Sequence, residues 1–169
     1  TLTADDGKGA ALGRTSIAGD ASGTTIDVQN GGISSLTVGR WVGGSINAKA
    51  IQTLTTRSSY FNKEIDGDFS ADMTFDNTGW AYTTGYFWKN ALGRVTIGGD
   101  MPGTPQNPVE WNVQGDINSV AVKGTATALN LTGSADASSL TFGGLFDSAI
   151  TLGGTASTVG VKGWYAPWG

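Results

Sequence analysis

The sequence predicts an all-β fold, a parallel β-solenoid of about eight imperfect coils of roughly 20 residues each. Three observations lead there: a six-residue apolar pattern that recurs along the chain, glycine corners that punctuate it, and a composition poor in helix-forming runs.

The pattern is apolar-x-x-apolar-x-apolar. It is carried by Leu12, Thr15 and Ile17; by Ile33, Leu36 and Val38; and by Ile51, Leu54 and Thr56. It returns at Leu92, Val95 and Ile97; Ile117, Val120 and Val122; Ala137, Leu140 and Phe142; and Ala156, Val159 and Val161. Period-two alternation turns Leu36 and Val38 to one side and Thr37 to the other. Most copies lie about 20 residues apart, the length of one solenoid coil. The interval from Ile51 to Leu92 is about double, so a copy there is degenerate or replaced by an excursion.

A second half-repeat follows each first half after a glycine. Gly19 leads to Thr25–Val28, Gly44 to Ile46 and Ala48, and Gly67 to Met73 and Phe75. Gly124 leads to Leu129 and Leu131, and Gly144 to Ile150 and Leu152. One coil cannot hide its apolar face, whereas stacked coils make a continuous core. An antiparallel β-sandwich also has short, evenly spaced strands, but it does not require the same internal pattern in each. The reading is a single domain over residues 1–169, with 76–90 an insertion or degenerate coil and 163–169 a C-terminal cap.

The phrases LGRVTIGGD, GGISSLTVGRWVGGSINAKAIQTLTT and INSVAVKGTAT resemble the Gly- and Thr-rich β-helix repeats of large bacterial surface proteins, abundant in planctomycetes. The resemblance covers most of the chain outside residues 76–90 and the last few positions. It implies a right-handed parallel β-helix in a secreted or cell-surface bacterial protein. Such repeats serve adhesins, surface layers and polysaccharide-active proteins alike.

Composition narrows the chemistry. The chain has 27 glycines, no cysteine, no histidine and a net charge of −4. Triads built on His or Cys are therefore impossible, and soft-metal or haem sites lack their usual ligands. The cations look scattered, with no basic stripe to neutralise phosphates, which argues against a nucleic-acid partner. No apolar run reaches the ~20 residues of a membrane span, and the N-terminus carries no signal-like segment.

Carboxylates and aromatics remain. Glu64, Asp66, Asp68, Asp72 and Asp76 cluster around a glycine corner. Asp66, Asp68 and Asp72 are the candidate ligands for a calcium ion, and Asp66 with Asp68 the candidate pair for a β-helix polysaccharide lyase or hydrolase. A solvated corner explains the same residues, because Asp satisfies turn amides. Asp20, Asp100 and Asp116 each follow a glycine, which suggests one acidic ladder.

Trp80, Tyr82, Tyr86 and Trp88 fall where the repeat stretches, and alternation puts Trp80 with Tyr82 and Tyr86 with Trp88. They form the candidate platform for stacking on sugar rings, or a hairpin packed on the rod. Trp164, Tyr165 and Trp168 suit the terminal cap, Trp111 suits the core, and Trp41 is compatible with either environment. The primary expectation is thus a non-catalytic extracellular module that binds polysaccharide through exposed aromatics, with no catalytic residue and no cofactor beyond calcium. The alternative is a structural or adhesive segment whose partners are neighbouring solenoid subunits.

Overall fold

A computed structural model describes residues 2–3, 10–58, 66–80 and 88–163. Its strands are β1 (Leu2–Thr3), β2 (Ala10–Thr56), β3 (Asp72–Asp76), β4 (Leu92–Ile97), β5 (Met101–Pro102) and β6 (Val109–Gln114). They continue as β7 (Ile117–Thr127), β8 (Leu129–Gly133), β9 (Ala137–Phe146), β10 (Ala149–Leu152) and β11 (Val159–Val161). The described residues contain no helix, and so none long and apolar enough to cross a membrane.

The strands form one curled, parallel sheet in the order β10-β8-β6-β3-β2-β4-β7-β9-β11. Strands alternate in sequence between the two arms, so the chain crosses from arm to arm as it winds. Each arm is a ladder of successive passes. On the first, Ile51 pairs with Leu92, Leu92 with Ile117 and Ile117 with Ala137. Leu54, Val95, Val120, Leu140 and Val159 stack beside them in the same way. On the second, Ile46, Met73, Trp111, Leu131 and Ile150 form one column. This is the stacking expected of a parallel β-solenoid.

Register follows from burial. Because side chains alternate, a slip of one residue would turn every core residue of a strand outward. Leu54, Val95, Val120 and Leu140 are all buried, while Thr55, Thr96, Ala121 and Thr141 between them and the next core position are half-exposed.

A short third side closes the core. Trp41 bridges Phe69, the Phe69 N–H donates to Asp100 O at 2.9 Å, and Met101 pairs with Ala126, which pairs with Leu145. Phe69 lies between two indoles, its ring centre 6.0 Å from that of Trp41 and 5.9 Å from that of Trp111. All three rings are fully buried, which settles Trp41 as a core residue and bears out Trp111. The Trp111 indole N–H donates to Ala71 O at 3.3 Å, so its polar edge stays satisfied inside.

The long interval between Ile51 and Leu92 hides no missing rung. The two residues pair directly, so the extra chain between them leaves this ladder unbroken. Deleting the central ring should be costly: Phe69→Ala is expected to destabilise the fold by about 3–5 kcal/mol, read as a lower urea midpoint at unchanged slope.

Candidate functional site

The corners carry most of the polar chemistry. There the backbone ladder is interrupted, and side chains from an adjacent pass take over the free N–H groups. Asp68 Oδ1 accepts the Asp100 N–H at 2.6 Å, and Asp100 Oδ1 accepts the Thr125 N–H at 2.7 Å. At a second corner, Asp116 Oδ1 accepts the Asp136 N–H at 3.4 Å, and Asp136 Oδ1 accepts both the Thr155 N–H at 2.7 Å and its hydroxyl at 3.1 Å. Serines do the same from the following pass: Ser70 Oγ accepts the Gly43 N–H and Ser134 Oγ the Gly115 N–H, each at 3.0 Å.

The expected single acidic ladder is therefore two. Asp20 and Asp100 belong to the corner entering the third side, where Arg40 intervenes and pairs with Asp20 at 2.5 Å. Asp116 belongs with Asp136 at the corner entering the first arm, where their carbonyls accept the N–H groups of Leu92 and Ile117.

The candidate calcium ligands divide likewise. Asp66 and Asp68 share a corner, where Asp66 Oδ1 accepts the Asp68 N–H at 3.1 Å. Asp72 opens β3 and its Oδ1 accepts the Glu110 N–H at 2.9 Å, so it serves the second arm. Among the described residues no three acidic groups converge on a metal-sized site, and Glu64 lies outside them. Gly67 has φ +86° and a backbone already crowded by Gly98, Gly99 and Ser58, which a side chain would strain. Its carbonyl accepts from the Gly99 N–H and from the buried Thr56 hydroxyl.

Burial pushes the Asp68 carboxyl above its ordinary range, partly offset by the Asp100 N–H, with the charges of Asp66 and Asp100 adding to the rise. Asp76 is pushed the other way by the Thr78 hydroxyl and by Lys49, whose ammonium lies 3.1 Å away. The Thr155 N–H and hydroxyl likewise lower Asp136.

The described ends of the central excursion, at Trp80 and Trp88, pack on the rod. Trp80 and Trp88 meet edge to face with ring centres 5.4 Å apart, and they are only 8% and 2% exposed. They pack with Ala50 and Ala10 in a small cluster of their own. Asn77 latches this segment, donating from Nδ2 to Trp88 O at 3.0 Å and accepting the Trp80 N–H at 3.2 Å. The two indoles thus offer no open face to a sugar ring. Tyr82 and Tyr86, and the cap residues Trp164, Tyr165 and Trp168, lie outside the described residues.

One alignment escaped the sequence reading. From the copy at Ile51 onward, the residue after each six-residue pattern falls on one edge, and in successive passes it is Arg57, Gly98, Lys123, Gly143 and Lys162. The cations that look scattered in sequence are brought into a line, and comparing the position after each repeat was the available signal. No family model matches this chain, and neither curated proteins nor solved structures give a match.

Two variants test the site's framework. At Gly32 a Cβ would stand 2.8 Å from the Trp88 ring and 2.9 Å from that of Trp80, so Gly32→Ala should cost about 1–3 kcal/mol in chemical denaturation and redshift tryptophan emission. Because the folded Asp68 pKa lies above its unfolded value, ionisation of Asp68 removes stability as pH rises through that interval. Asp68→Asn keeps an acceptor for Asp100 without the charge. It should melt at or above wild type at pH 7, with the difference vanishing near pH 3, whereas Asp68→Ala should lose about 1 kcal/mol.

Proposed function

We propose that the chain is a structural segment of a bacterial cell-surface or secreted assembly, a parallel β-solenoid of about eight coils that stacks on a neighbouring subunit. One observation carries this reading. Val159 and Val161 continue core columns whose preceding members, Leu140 and Phe142, are fully buried, yet they are 56% and 38% exposed. Phe146, at the end of β9, is also exposed. Among the described residues no strand pairs with the outer edge of β11, and such a rung of core-type residues gains both apolar burial and backbone hydrogen bonds from one more rung. The non-catalytic part of the proposal rests on the sequence, which holds neither histidine nor cysteine.

A second reading, polysaccharide binding, is favoured by a different feature than the aromatics. An open groove of about 400 Å³ runs over the outer surface of the second arm, lined by Gln29, Asn30, Asn47, Lys49, Thr74 and Asp76. Amide, hydroxyl and ionic groups at this density suit the hydroxyls of a sugar chain.

Light scattering across a concentration series tests the assembly. The wild type should grow in mass with concentration, and Val159→Lys/Val161→Lys should remain monomeric. A wild type that stays monomeric at millimolar concentration sinks the proposal.

A further inference from the structure

The cationic edge is the feature that neither reading uses. Its geometry is set by the first arm: Ile97 pairs with Val122, Val122 with Phe142 and Phe142 with Val161. The next residues, Gly98, Lys123, Gly143 and Lys162, follow at the same edge, with a bulge where Lys123 and Gly124 together face Gly143. Arg57 occupies the pass before, held by its N–H to Val38 O at 3.1 Å, with the Gly98 N–H donating to Thr56 Oγ1 at 2.9 Å. A glycine thus separates each cation from the next.

Two grooves run along this edge and share Lys123. One, of about 420 Å³, is lined by Thr55, Arg57, Thr96, Gly98 and Lys123 among others. The other, of about 180 Å³, includes Lys123, Thr141, Gly143 and Lys162. Among the described residues no carboxylate lines either one. Arg57, Lys123 and Lys162 are exposed, and the ion pairs among the described residues involve Arg40 and Lys49 instead. At the corner beyond this edge, Asp68 and Asp100 each have an oxygen turned onto a backbone N–H of the next pass.

We propose that this edge binds an acidic, carboxylate-bearing polysaccharide lying along the solenoid axis. Its carboxylates sit on Arg57, Lys123 and Lys162, and its ring hydroxyls on Thr55, Thr96 and Thr141. Two passes separate Lys123 from Lys162, about 9–10 Å, which suits a chain that presents an acid group on the same side at every second sugar. Guanidinium and ammonium groups on carboxylates supply charge-assisted hydrogen bonds, and neighbouring threonines supply neutral ones. Nucleic acid fits less well. Three cations on a chain of net charge −4 neutralise few phosphates, and the one aromatic that lines the trough among the described residues, Phe142, is buried and cannot stack a base.

The inference rests on the polysaccharide reading above and adds the charge class and the place. Affinity electrophoresis tests it in native gels containing polygalacturonate, its fully methyl-esterified form, neutral xylan or poly(dT), each referred to a polymer-free gel. Polygalacturonate should retard the wild type and the charge-matched control Arg14→Ser/Lys89→Ser. Lys123→Ser/Lys162→Ser should lose that retardation with an unchanged circular dichroism spectrum, and the methyl ester should retard neither. Equal retardation of the Lys123→Ser/Lys162→Ser variant, equal action of the methyl ester, or stronger retardation by poly(dT) overturns the inference. Retardation by xylan that ignores the two lysines overturns it while leaving the polysaccharide reading intact, and no retardation by any glycan removes both.

Discussion

In-register parallel stacking is the constraint on which everything else depends. Each pass is too thin to hide its own apolar residues, so Leu54, Val95, Val120 and Leu140 are buried only because each has the next above it. The backbone ladder fixes that register, and the ladder holds only while the arms remain extended. Extra residues are consequently tolerated at corners and nowhere else. The long connection between Ile51 and Leu92 and the turn around Thr104 to Asn107 both leave the rungs beneath them paired.

Corners therefore face two demands, a sharp change of direction and a supply of partners for interrupted backbone groups. Glycines with positive φ answer the first, as at Gly67. Asp and Ser answer the second by reaching across to the adjacent pass. This gives the acidic residues a structural occupation that composition alone conceals. Asp68, Asp72, Asp100 and Asp136 each hold a backbone N–H of another pass, and a carboxylate so engaged is a weaker candidate for chemistry than a free one.

How much of this was legible depended on how many residues each feature spans. The two arms were readable because three or more alternating positions recur in each pass, enough for period two to show. The third side was not, since it contributes little more than Trp41, Phe69 or Met101 per pass, and single residues have no period. Trp80 and Trp88 misled for a related reason. Alternation describes a strand facing solvent or core, whereas these two rings pack on each other and fill the space left at Gly32. The only trace in the sequence was a paired glycine, Gly31 and Gly32, ahead of the pattern. The cationic edge was legible in full, but only if the position after each repeat was compared down the chain rather than along it.

That last point has a physical basis. In a globular fold a surface residue acquires its neighbours from many segments, so its sequence context says little about them. In a solenoid, every outward position is copied at about 4.8 Å into a column, and chemistry is multiplied or diluted by what stands at the same place in adjacent passes. A cation stacked directly on a cation would suffer repulsion at that distance. Placing Gly98 and Gly143 between Arg57, Lys123 and Lys162 spaces like charges beyond the Debye length of physiological salt, ~8 Å, and clears room beside each for a ligand. The same alternation that relieves repulsion thereby shapes a trough, which is why a chain of acidic balance can still present one edge to an anion.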